Sequence, residues 1–211
     1  GLEADIARLE RLRAAHDDDQ FAIRRQIRDA ERDIEHFTRR AGEIGQDIVR
    51  TVPTLGAAFA MSIGGNSLSE RKTAGRALMK EILTLVQLQQ EGETVIASIG
   101  GFELEYSGER FGQDGYRYAT MLMRTGADHE IELPVTVTPL GAVSRLEHAI
   151  GGFAEEQERY RQRLADAERR LASYRSRQGG AFAFADELAG KRRQLAEVEK
   201  ALAADVEGLH G

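Results

Sequence analysis

Apolar residues recur along the first fifty positions in alternating steps of four and three. Positions 2, 6, 9, 13, 16, 20, 23, 27, 30, 34, 37, 41, 44 and 48 keep this rhythm, and eleven of the fourteen are apolar, from Leu2, Ile6 and Leu9 to Ile44 and Ile48. A seam held over nearly seven heptads predicts one long helix with one face against a partner. At 1.5 Å per residue that helix measures about 70 Å. The run Asp17-Asp18-Asp19 lies off the seam and is a candidate break, although the unbroken register across it favours one continuous helix.

The rhythm returns near the other end, at Leu146, Ile150, Phe153, Gln157, Tyr160, Leu164, Ala167, Leu171, Tyr174 and Gln178. Gly179-Gly180 then stops the helix. A third helix is expected from about Asp186 through Leu188, Leu195, Val198, Leu202 and Val206 to Leu209, with Phe182 and Phe184 in the connection. The simplest arrangement is an antiparallel arm. Pairing Ile48 with Leu146 places Ile34 near Tyr160 and Leu164, and Gln20 and His16 near Tyr174 and Gln178, a polar layer that sets register. The third helix is expected to fold back, making the distal half three-stranded.

Between the two seams the pattern changes to short alternating runs bounded by glycine. Strands are expected at Ala57–Ile63, Thr94–Ile99, Phe102–Ser107, Tyr116–Arg124 and Glu130–Thr136, with a helix from Glu70 to about Gln90 capped by Ser69. Ser-Ile-Gly-Gly occurs at 62–65 and 98–101 as two similar strand exits, and Ala-Ile-Gly-Gly at 149–152 is read as coincidence. The fold class is therefore α+β: a small antiparallel sheet with one packed helix, carried on a long antiparallel coiled-coil arm that is three-helix at its distal end. The divisions fall at 1–52 (N-terminal arm helix), 53–138 (α+β head) and 139–211 (C-terminal arm helix and return helix).

Composition narrows the function classes. No window of the 211 residues is apolar enough to span a membrane, and Gly1-Leu2-Glu3-Ala4-Asp5 shows no signal peptide. There is no cysteine, hence no disulfide, thiol nucleophile or Cys-based zinc site. These features lead to the expectation of a cytoplasmic protein without a membrane partner. Lys and Arg total 29 against 35 Asp and Glu, a net charge of −6, which argues against a protein that coats nucleic acid over its whole surface.

Candidate chemistry is sparse. His16, His36, His129, His148 and His210 are scattered, and strand alternation puts Glu130 and Glu132 on the opposite face from His129. No catalytic residue, cofactor or metal is expected. The stretch Gly64-Gly65-Asn66-Ser67-Leu68-Ser69-Glu70-Arg71-Lys72-Thr73 is not a phosphate loop, because Arg71 rather than glycine precedes Lys72. The charge pattern is more informative. Between Arg169 and Arg193 lie seven cations (Arg169, Arg170, Arg175, Arg177, Lys191, Arg192, Arg193) against Asp186 and Glu187. With the third helix folded back these cations flank one hairpin tip, the candidate contact for nucleic acid or an acidic partner.

Several segments, in order, resemble the C-terminal region of very large fusion proteins that join a superfamily II helicase to an N6-adenine DNA methylase, carried by phages and conjugative plasmids. The matching stretches are Met61-Ser62-Ile63-Gly64-Gly65, Glu70-Arg71-Lys72-Thr73-Ala74-Gly75, Gly101-Phe102-Glu103-Leu104, Tyr116 to Met123 with Glu130 to Leu133, and Gly141-Ala142-Val143-Ser144-Arg145-Leu146-Glu147. Gly180-Ala181-Phe182-Ala183-Phe184 before Asp186-Glu187-Leu188 corresponds to the family's link, here without its prolines. The resemblance covers about residues 10 to 205 and includes neither the helicase nor the methylase motifs. It implies a non-catalytic accessory domain whose partners are upstream helicase and methylase modules of the same polypeptide, with DNA contacted through the basic tip. The alternative is a pure coiled-coil assembly module that touches only protein.

Overall fold

A computed structural model describes residues 1–210, without the side chain of His210; position 211, the end of the last division, lies outside the described residues. The elements are α1 (Leu2–Arg50), β1 (Met61–Ile63), β2 (Asn66–Leu68), α2 (Arg71–Gln87), β3 (Gly92–Ile99), β4 (Phe102–Phe111), β5 (Gly115–Leu122), β6 (His129–Glu130), α3 (Pro139–Gly151), α4 (Phe153–Arg177) and α5 (Ala185–His210). The chain is a mixed α+β protein with one six-stranded antiparallel sheet, order β2-β1-β3-β4-β5-β6. No helix among the described residues is long and apolar enough to cross a membrane. Two compact units are present, 36–163 and 1–35 with 164–211, and their boundaries fall inside α1 and α4.

In the unit spanning 36–163 the sheet buries one face. Phe102, Leu104 and Tyr106 point inward on β4, while Glu103 lies exposed between them, the alternation expected of a sheet with one dry side. Ala74, Leu78 and Ile82 of α2, Ala142, Val143, Leu146 and Ile150 of α3, Ile44 of α1 and Phe153 of α4 complete this core. Gly75 lets α2 and α3 approach closely: a Cβ there would lie 2.2 Å from the Pro139 carbonyl oxygen.

Local chemistry explains where the strands depart from expectation. Gly64 and Gly65 both have positive φ (57° and 85°), as a two-residue type I′ hairpin requires. The chain therefore reverses immediately, and Asn66–Leu68 pairs back on β1 as a strand the hydrophobic pattern did not reveal. Gly100 and Gly101 repeat this turn, and Ser62 faces Ser98 across the ladder, so the two Ser-Ile-Gly-Gly exits are alike in structure. The strand expected from Ala57 is shorter, because Gly56–Ala58 forms a 3₁₀ turn. Glu70, not Ser69, caps α2: its carboxylate accepts from the N–H groups of Lys72 (3.0 Å) and Thr73 (2.7 Å). β4 runs on to Phe111 and β5 stops at Leu122. The strand expected over Glu130–Thr136 pairs only at His129–Glu130, since the Tyr118 and Thr120 hydroxyls donate to the Leu133 and Ile131 carbonyls.

The expected continuous helix from Leu146 to Gln178 is instead α3 and α4, parted at Gly152, whose N–H still bonds the His148 carbonyl. α1 is uninterrupted through Asp17-Asp18-Asp19, and of its fourteen seam positions only Arg13 is exposed.

In the unit of 1–35 and 164–211, Ile23, Ile27 and Ala30 bury against Leu171, with Ile34 and Tyr174 at the edge. Ile34 packs at the edge of the cluster with Leu171, while in the unit of 36–163 Tyr160 packs with His36 and Phe37. Gln20 accepts from Gly179 N–H (2.8 Å) and donates to the Arg177 carbonyl (3.2 Å), close to where the seam placed it. The expected fold-back of the third helix is wrong. His16 meets Phe182 (ring centroids 5.8 Å), Leu9 and Ile6 enclose Leu188, and Asp5 meets Lys191. As α5 advances, α1 retreats toward its start, so α5 continues along α1 in the direction of α4 instead of reversing. The seam itself supplies the reason: Phe182 fills a seam site within the link, so the chain crosses Gly179-Gly180 without losing its track on α1.

Candidate interaction surfaces

The seven cations do not converge on a tip. Because α4 and α5 follow one another along α1, these side chains spread over the stretch from Asp5 to Asp33, about 40 Å of helix. Five of the seven lie within ion-pair distance of carboxylates. Arg170 meets Asp33 (3.2 Å), Arg175 meets Glu31 (3.2 Å), Lys191 meets Asp5 (3.4 Å) and Arg192 meets Glu10 (2.9 Å), while Arg169 pairs with Asp166 on its own helix. The Arg177 guanidinium lies 5.5 Å from the Tyr174 ring centroid. Arg193 has no ion-pair partner among the described residues. A sequence count of positive charge in one window overlooks the acids that α1 brings from far away in the chain.

A buried polar cluster lies in the unit of 36–163, at residues the sequence reading did not single out as a group. Asp47, fully buried on α1, accepts from the Thr125 N–H (2.9 Å) and from the Arg124 Nε (3.3 Å), with Arg50 at 3.6 Å. Arg124, only 3% exposed in its side chain, also meets Glu156 of α4 (3.0 Å) and stacks its guanidinium 4.3 Å from the Phe153 ring centroid. Two carboxylates and an aromatic face thus hold one buried cation. Asp47 stands beside the Ile44–Ile48 seam on α1, and its hydrogen-bond partners Arg124 and Thr125 lie 77 and 78 positions away, so periodicity carries no signal for it.

Beside this cluster is a cavity of about 490 Å³ lined by Arg124, His129, His148, Glu155, Glu156 and Arg159, and His129 and His148 also border a second of about 620 Å³. His36 packs against Phe37 and Tyr160. Among the described residues no three His, Asp or Glu side chains gather as metal ligands would.

The stretch compared with a phosphate loop is a hairpin followed by a self-capped helix. Glu70 occupies the first N–H groups of α2, and the Thr73 hydroxyl and backbone bonds hold its carboxyl below the usual range. Arg71 pairs with Glu147, which raises its pKa, and lies over the Phe59 ring. Glu147 also accepts from Thr54 (2.7 Å), so Arg71 ties α2 to α3. Burial, with a hydrogen bond to Tyr116, pushes the Tyr106 phenol well up, and Tyr116 in turn donates to the Gln90 carbonyl (2.8 Å).

Comparison with protein-family models, curated proteins and solved structures finds no match to this chain.

Proposed function

We propose that this chain is a non-catalytic accessory domain of a helicase–DNA methylase polypeptide in the bacterial cytoplasm, where it positions the catalytic modules. In this reading α1, α4 and α5 act as a coiled-coil arm and the sheet with α2 and α3 as its head. The observation that carries the reading is the 49-residue helix α1, on which α4 and α5 seat in succession. One long helix that seats two others in sequence is what an assembly element offers. Sedimentation velocity of the purified chain with separately expressed helicase and methylase modules tests this. Co-migration with either module supports the proposal, and independent migration of all three refutes it.

A second reading, DNA contact through the cations between Arg169 and Arg193, has a narrower basis. Exposed ion pairs are worth only about 0–1 kcal/mol, so Arg170, Arg175 and Arg192 can exchange carboxylates for phosphates at little cost. Arg177 and Arg193 need no exchange. Binding to duplex DNA that weakens steeply with salt supports this reading, and no binding at low salt refutes it.

A further inference from the structure

We propose that the outward face of α2 is a contact surface for the phosphate backbone of duplex DNA, separate from the window Arg169–Arg193. The inference rests on reading this chain as part of a DNA-handling polypeptide only for the choice of DNA over another duplex nucleic acid. Lys72, Arg76 and Lys80 are exposed and stand four residues apart. At 100° per residue they fall within an arc of about 80° that also holds Leu83 and Gln87. Glu81, the one acid within α2, lies about 100° beyond that arc. Among the described residues the only ion pair made by α2 is that of Arg71 with Glu147, so the three cations of the row meet no carboxylate. The Glu70 carboxylate, which feels the charge of Arg76, is committed to the N–H groups of Lys72 and Thr73.

This row costs the chain stability. Like charges four apart on a helix repel. Arg71 and Lys72 also stand in a first turn that holds no acid, at the positive end of the helix dipole. The comparable row on α1, Arg24, Arg28 and Arg32, has Glu35 within its arc and pairs Arg32 with Asp29. A polyanion supplies what α2 lacks. The row rises about 6 Å per step, and one strand of duplex DNA carries a phosphate about every 3.4 Å along the axis, so each cation has an acceptor within reach. A protein helix is disfavoured as occupant, because Leu83 is the only apolar side chain in the arc and a helix partner needs several anchors. Unpaired bases are disfavoured as well, since α2 has no aromatic side chain on which to stack them.

The test follows the fluorescence anisotropy of a short labelled duplex of mixed sequence with the full chain, starting at about 50 mM salt. Wild type is expected to bind, with log affinity falling against log salt at a slope of about 2.7 for three phosphate contacts. Lys72→Gln with Arg76→Gln and Lys80→Gln should weaken binding at least tenfold and flatten that slope toward zero. The same triple variant should melt no lower than wild type, because it removes like-charge repulsion. Arg177→Gln with Arg193→Gln should bind within threefold of wild type. No binding by wild type, a triple variant within threefold of it, or a lowered melting midpoint overturns the proposal. So does displacement of the duplex by poly-glutamate at equal charge, because the occupant is then an acidic protein. A loss in the Arg177 and Arg193 variant equal to or greater than that in the triple variant overturns it in favour of the other window. No helicase or methylase module enters these assays, so failure here is distinct from failure of those modules to co-migrate.

Discussion

Replacing Asp47 by Ala removes the central acceptor of the buried cluster while leaving its cation in place. Asp47 is fully buried, and its two oxygens serve the Thr125 N–H at 2.9 Å and the Arg124 Nε at 3.3 Å. After the substitution Arg124 keeps Glu156 at 3.0 Å and the Phe153 ring, but the Thr125 N–H has no partner from Asp47. Breaking a buried pair by removing one member costs about 3–5 kcal/mol. With a urea m-value of about 2 kcal/mol/M, the midpoint falls by roughly 1.5–2.5 M. The signal to follow is near-ultraviolet circular dichroism, because Tyr106, Tyr116, Tyr118 and Tyr160, four of the five tyrosines, belong to the unit of 36–163. A matched control removes the cation as well: Asp47→Leu with Arg124→Met is expected to recover most of the loss, since packed apolar residues commonly replace a buried pair at little cost. A loss below about 1 kcal/mol for Asp47→Ala, or a double variant no better than the single one, would falsify the account of the cluster as a buried, mutually compensated set of charges.

Gly75→Ala should destabilise the same unit by about 1–3 kcal/mol in urea titration, because the new methyl meets the Pro139 backbone at 2.2 Å; an unchanged midpoint contradicts that close approach. Glu70→Ala should flatten the dependence of stability on pH below about 5. The Glu70 carboxyl titrates lower in the folded chain than unfolded, so its contribution is present above the unfolded pKa and disappears as pH falls through the folded one; a variant that loses stability on acidification as steeply as wild type contradicts the cap. The chain has no cysteine, so introduced pairs report proximity cleanly. Asp5→Cys with Lys191→Cys should crosslink on oxidation and Arg25→Cys with Lys191→Cys should not; the opposite result restores a third helix that folds back.

Periodicity alone located the buried stripe of α1, because a helix presents every third or fourth residue to one side whatever it packs against. That is why thirteen of the fourteen seam positions are buried or half-buried, and why Gln20 could be placed beside the end of α4. Glycine pairs likewise marked the turns, since positive φ suits glycine best. Direction after a turn is another matter. Gly64-Gly65 reverses the chain into β2, whereas Gly179-Gly180 lets α5 carry on along α1, and both read as glycine pairs in the sequence. Phe182 decides the second case by filling a seam site on α1, which only the packed structure reveals. Charge shows the same limit. A window from Arg169 to Arg193 is basic in one dimension, yet Asp5, Glu10, Glu31 and Asp33 meet its cations in three, and Asp47 finds Arg124 only because α1 lies beside the end of β5. Local geometry follows from neighbours in sequence, while the pairing of charges depends on neighbours in space that the chain's length keeps far apart until it folds.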